Sequence, residues 1–165
     1  MLYASQTLFL KNKAIVVTTT GGVGAKSAVN YLTGWLKGIG FNYCYKLAIA
    51  SYSWNDYKVN KKAKIKCKKL EEQFHKDVSS KKMHPPTFAV LIPYNLFRGM
   101  SLGYVKGTEY ETQDGVYWID PIRSKSTYDP LINVPFYKKM FGGTFYVIGK
   151  LVSKFTTITY KKNFL

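Results

Sequence analysis

Seven consecutive residues, Thr18, Thr19, Thr20, Gly21, Gly22, Val23 and Gly24, join an apolar run to a helical pattern. Three hydroxyls and a set of backbone amides stand where a strand would end. Gly21 and Gly22 carry no side chain to hold a flat ring away. No base, nucleophile or carboxylate pair accompanies them, so the pattern suits a cofactor that brings its own chemistry. Two phosphate motifs are excluded. A P-loop needs Gly-Lys-Ser in succession, but Ala25 separates Gly24 from Lys26 and Ser27. A dinucleotide fingerprint is matched only in its first half, Gly22-Val23-Gly24, with Ser27 in place of the third glycine. The first acid of the chain, Asp56, comes too late to bind a ribose. The plain structural alternative is a tight strand-to-helix turn.

The other reactive side chains are sparse. Cys44 and Cys67 have no metal-ligand spacing and read as reduced thiols. His75 and His84 lack a cysteine or carboxylate at catalytic spacing and read as surface histidines. The run NKKAKIKCKKLEEQFHK reads as a solvated helix face. Its functional alternative is an electrostatic footprint for cofactor phosphates, an acidic electron carrier or nucleic acid. Tyr52, Trp54 and Tyr57 could stack on a ring or pack within a loop. No RNA- or DNA-binding module signature is present.

The elements around the loop have clear periods. Ala14–Val17 is apolar and β-branched, as in a strand buried on both faces. Ala25, Ala28, Val29, Leu32, Trp35, Leu36 and Ile39 recur at helical spacing until Gly38 and Gly40 stop them. Tyr43–Ala50 is a second strand. A helix from about Asn60 to Val78 presents Ala63, Cys67, Leu70, Phe74 and Val78 on one face. Strand, helix, strand, helix in this order predict a parallel α/β sheet. Beyond Lys82 the pattern changes. Pro93 predicts that any helix in Phe88–Phe97 is short or kinked. Residues 99–133 have no strong period. Phe136–Phe155 is amphipathic, with Gly142 and Gly143 weakening its helix.

The chain has 165 residues, 46% of them hydrophobic, enough for a packed core rather than a disordered tail. Its 25 basic and 9 acidic side chains give a net charge of +16, which favours anionic partners and says nothing about fold. No signal peptide or membrane span is visible, so a cytoplasmic protein is expected.

The stretch KNKAIVVTTTGGVGAKSAVNYLTGWLKGIGFNYCYKLAIAS resembles the fourth strand, following helix and fifth strand of flavodoxin-like NAD(P)H-dependent FMN oxidoreductases. Asn60–Lys82 is similar to the last helix of that family. PPTFAVLIPYNLFRGM and FYKKMFGG resemble a C-terminal extension of clostridial-type members. The resemblance implies an α/β fold, a partial flavodoxin-like parallel sheet with flanking helices, over residues 1–82. It implies an irregular and helical extension over residues 83–165, packing on the first part. It further implies FMN and NAD(P)H as cofactors, with Thr19, Thr20, Gly21, Gly22 and Gly24 against the flavin ring. Hydride would pass from NAD(P)H through FMN to a quinone, nitro compound or protein. Nothing in Met1–Leu10 matches the phosphate loop that the resemblance implies, so the chain reads as the carboxyl-terminal half of the domain. Its expected partners are the two cofactors, with a second copy or a complementing amino-terminal half. The alternative, from another class, is a non-enzymatic basic module on an anionic surface such as nucleic acid, membrane or an acidic protein.

Overall fold

The computed structural model describes residues 9–51, 60–101 and 113–155. These residues fall into two compact units, one within Leu8–Met83 and one within His84–Leu165. Among them no helix is long and apolar enough to cross a membrane.

In the first unit, β1 (Lys13–Thr20) and β2 (Tyr43–Ala50) pair in parallel, in register from Lys13 against Tyr43 to Thr20 against Ala50. The connection is α1 (Ala25–Gly38), as the order of periods predicts. Side chains alternate along a strand, so the two sheet faces carry different residues. Thr18 donates its hydroxyl to the Ala25 carbonyl at 2.9 Å, and Lys46 Nζ donates to Asn30 Oδ1 at 2.8 Å. Both bonds tie the even-numbered face to α1. Tyr45, on the odd-numbered face, donates its hydroxyl to Asp77 and meets Phe74 edge-on at 5.6 Å. That face therefore holds α2 (Lys61–Ser79). The result is a mixed α/β unit with one helix on each side of a two-stranded sheet.

Burial departs from the sequence expectation in three places, each for the same reason: a narrow sheet covers little. The run Ala14–Val17 is not buried on both faces. Val16 is buried, but Val17 is 54% exposed, because α2 packs over β2. On α1 the covered stripe is Ala25, Val29 and Thr33, while Ala28, Leu32, Trp35 and Ile39 face solvent. Thr33 tolerates burial because its hydroxyl donates to the Val29 carbonyl at 2.8 Å. On α2 Ala63 is buried, Cys67, Leu70 and Phe74 are half-buried, and Val78 is exposed. Asp77 takes the inward position instead, held by the Tyr45 hydroxyl with Lys82 Nζ 4.0 Å away. Burial and the neighbouring Asp77 push the Tyr45 hydroxyl well above its ordinary pKa, so it stays a donor.

The helix ends follow local chemistry. Gly40, at φ 109°, closes α1 with Phe41 N–H donating to the Leu36 carbonyl at 3.0 Å. Asn60 caps α2 by accepting from the Ala63 amide at 2.8 Å.

The second unit is helical: α3 (Phe88–Met100), α4 (Gln113–Ile119) and α5 (Phe136–Phe155). α3 runs through Pro93 for 13 residues and so is not short, and α5 is continuous through Gly142 and Gly143 for 20 residues. Packing explains α5. A Cβ on Gly149 would lie 2.2 Å from the Leu96 carbonyl oxygen, and one on Gly99 would lie 2.3 Å from that of Tyr146. The two helices thus cross backbone to backbone, and the glycines permit it. Gly142 likewise leaves room for Thr127 and Asn95.

Beside this crossing Asn95 is fully buried. It donates to the carbonyls of Leu91 (2.9 Å) and Thr127 (3.0 Å) and accepts from Arg98 Nη1 at 3.0 Å. Arg98 also donates to the Ser124 carbonyl at 2.7 Å, and its guanidinium lies 4.1 Å from the Tyr146 ring centre. Burial lowers its pKa from the ordinary value, and the aromatic neighbours oppose that shift. Tyr94 packs edge-on against Trp118 at 4.6 Å and tilted against Tyr128 at 4.7 Å, completing an aromatic core.

Candidate functional site

The loop from Thr20 to Gly24 leaves the carboxyl end of β1 beside the carboxyl end of β2. The register brings the two ends together: the Ser51 amide donates to the Thr20 carbonyl at 2.8 Å. In parallel sheets this is the edge where ligands bind. The loop is held by its own threonines. Thr18 reaches forward to Ala25, and the Thr20 hydroxyl donates to the Gly22 carbonyl at 3.1 Å. Thr19 is exposed. Gly24 stands at φ 97° at the start of α1, a left-handed conformation that favours glycine. That geometry accounts for Gly24 without a ligand.

The five residues singled out in the sequence, Thr19, Thr20, Gly21, Gly22 and Gly24, form one exposed turn and differ in what they offer. Gly21 and Gly22 leave open space. A Cβ on Gly22 would meet nothing within 4 Å, and one on Gly21 would reach only the Ser51 carbonyl, at 4.0 Å. Among the described residues, no acceptor meets the amides of Gly21, Gly22 and Val23. Val23 is 89% exposed and places an apolar side chain beside these donors. The turn is thus an open surface with free N–H groups and one apolar flank. It offers hydrogen bonds and contact area, and no proton-transfer group.

A cavity elsewhere in the unit escaped the sequence reading. A cavity of about 390 Å³ lies along the outer side of β2 and is lined by Lys26, Lys46, Lys66 and Lys69 over Val29, Leu47 and Leu70. The lysine run on α2 was visible in the sequence. Its convergence with Lys26 of α1 and Lys46 of β2 was not, because it needs the crossover to bring the three elements side by side.

Of the remaining candidates, all but His84 stay where their sequence context put them. Cys44 is buried and Cys67 half-buried, and both are free thiols. Burial raises the pKa of the Cys44 thiol despite Lys37 and Lys46 nearby. His75 is exposed, while His84 is half-buried and engaged. Among the described residues no cluster of His, Cys, Asp and Glu could hold a metal ion. Tyr52, Trp54 and Tyr57 lie outside the described residues, as does the stretch before Phe9.

Comparison with protein-family models, curated proteins and solved structures finds no match for this chain.

Proposed function

We propose that the first unit belongs to a flavodoxin-like, NAD(P)H-dependent FMN oxidoreductase lineage and that its glycine turn lies against the flavin ring. The observation that carries this reading is the open, donor-bearing turn at the carboxyl end of β1, beside Ser51. A planar ring fits there. Gly21 and Gly22 admit it at van der Waals distance, and their amides can donate to its carbonyl and nitrogen acceptors. Val23 supplies apolar contact, and Thr19 a hydroxyl at the rim. Helices on both sides of a parallel β-α-β unit are also what such a fold requires.

FMN, when bound, supplies hydride transfer between NAD(P)H and an acceptor. The chain's own residues orient the ring and keep one of its faces dry. The phosphate grip that these folds build after their first strand is not among the described residues, so the proposal assigns the ring only. The outer edge of β1 is where further strands of such a sheet would continue.

The test is a fluorescence titration of FMN with the wild-type chain and with Gly22→Leu, at physiological salt. The added Cβ meets nothing within 4 Å, and the leucine side chain would occupy the ring's place. Affinity should fall by about tenfold or more, with unchanged circular dichroism. Equal affinity of the two proteins would refute the assignment.

A further inference from the structure

α5 meets α3 through small residues, with the half-buried aromatics Phe141, Phe145 and Tyr146 beside them, and turns a stripe of large apolar residues outward. Gly142 and Gly149 are buried against the rest of the unit, and Gly149 touches the α3 backbone. On the opposite side Phe136, Met140, Val147, Leu151 and Phe155 follow at helical spacing, and all are more than half exposed. The stripe runs the length of a 20-residue helix, about 30 Å. Helices that rest on a water-soluble core have the reverse arrangement, with large apolar side chains inward. Small residues at a helix crossing and large apolar ones facing away are the pattern of helices that meet lipid.

The charges around the stripe select its occupant. Helical spacing puts Lys139 and Lys150 along one border and Lys154 near the carboxyl end. All three are exposed, and α5 contains no acidic residue. A second copy of the chain docked on this stripe would bring the same lysines against each other. An anionic surface would not. The aromatic residues Phe136, Tyr137 and Phe155 stand at the two ends of the helix. The helix is too polar to cross a bilayer.

We propose that α5 lies along the surface of an anionic phospholipid bilayer. Its apolar stripe is sunk into the boundary between headgroups and acyl chains. Lys139 and Lys150 extend along the membrane plane to lipid phosphates, their stems covering apolar surface. The proposal concerns the second unit alone and is independent of flavin binding.

The experiment is flotation of the full chain with vesicles of phosphatidylcholine alone, and of phosphatidylcholine with phosphatidylglycerol. Binding is expected to the anionic vesicles. The uncharged pair Val147→Gln and Leu151→Gln leaves the buried face of α5 untouched. It should lower vesicle binding by about tenfold or more with unchanged circular dichroism. Lys139→Gln or Lys150→Gln should each cost about fivefold, and only with anionic vesicles. Absence of binding to either vesicle would overturn the proposal. So would binding that the glutamine pair leaves intact, because the basic surface as a whole would then be responsible. Sedimentation equilibrium gives the remaining outcome: a dimer that the glutamine pair dissociates would assign the stripe to self-association instead.

Discussion

Two glycines on one helix, six residues apart, should respond in opposite directions to the same substitution. A methyl group on Gly149 would sit 2.2 Å from the Leu96 carbonyl oxygen and 3.1 Å from Gly99 Cα. Both are backbone atoms of α3, so no side chain can rotate away and the two helices must separate. Forced overpacking of this kind costs about 1–3 kcal/mol, and backbone contact places this case at the upper end. Alanine recovers about 1 kcal/mol of helix propensity relative to glycine. The net expectation for Gly149→Ala is a loss of about 2 kcal/mol. At Gly143 an added methyl meets nothing within 4 Å. Only the propensity gain remains, so Gly143→Ala should stabilise by about 1 kcal/mol. The two variants then differ by about 3 kcal/mol, or roughly a hundredfold in the folding equilibrium. Urea unfolding followed by circular dichroism and by the fluorescence of Trp118, which is buried in the same unit, measures both. Stabilisation by Gly149→Ala comparable to that by Gly143→Ala would refute the close crossing of α3 and α5.

Phe74→Ala should destabilise the first unit by about 2 kcal/mol in a denaturant melt, because the ring is half-buried and meets Tyr45 edge-on. A change near zero would mean that α2 does not rest on β2 through this residue. Iodoacetamide at neutral pH should modify Cys67 well before Cys44. The Cys44 thiol is buried and its pKa is raised, so the reactive thiolate is scarce there until the pH rises further. Mass spectrometry of partly alkylated protein measures the order, and faster labelling of Cys44 would contradict its burial.

The β-α-β order, the parallel pairing and the approximate start of α2 at Asn60 were legible in the sequence because they depend on local period and punctuation. What the sequence hid depends on partners distant in the chain. The outward turn of Leu32, Trp35 and Val78 follows from how little of each helix a two-stranded sheet covers, which no periodicity records. Gly142 looked only like a weak point in a helix until its neighbours were known: Asn95 and Thr127 need the space. The length of α3 on both sides of Pro93 was equally hidden from a local rule. The glycine turn was legible as a position in the chain, at the end of an apolar run. Its openness was not, because that depends on the Thr18 and Thr20 hydroxyls folding back on Ala25 and Gly22. The buried Asn95–Arg98 pair, one helical turn apart in an apolar segment, was a signal available in the sequence and missed.

The central claim is that the turn from Thr19 to Gly22 receives a flavin ring. Lumiflavin, which carries the isoalloxazine ring without the ribityl phosphate, isolates that contact from the attraction of a chain of net charge +16 for phosphate. Titrating it into nitrogen-15-labelled protein and following amide chemical shifts tests the claim directly. Saturable shifts are expected, largest at Gly21, Gly22 and Val23, with smaller ones at Thr19 and Ser51. Shifts confined to other residues, or none at the turn with the ring in excess, would contradict it.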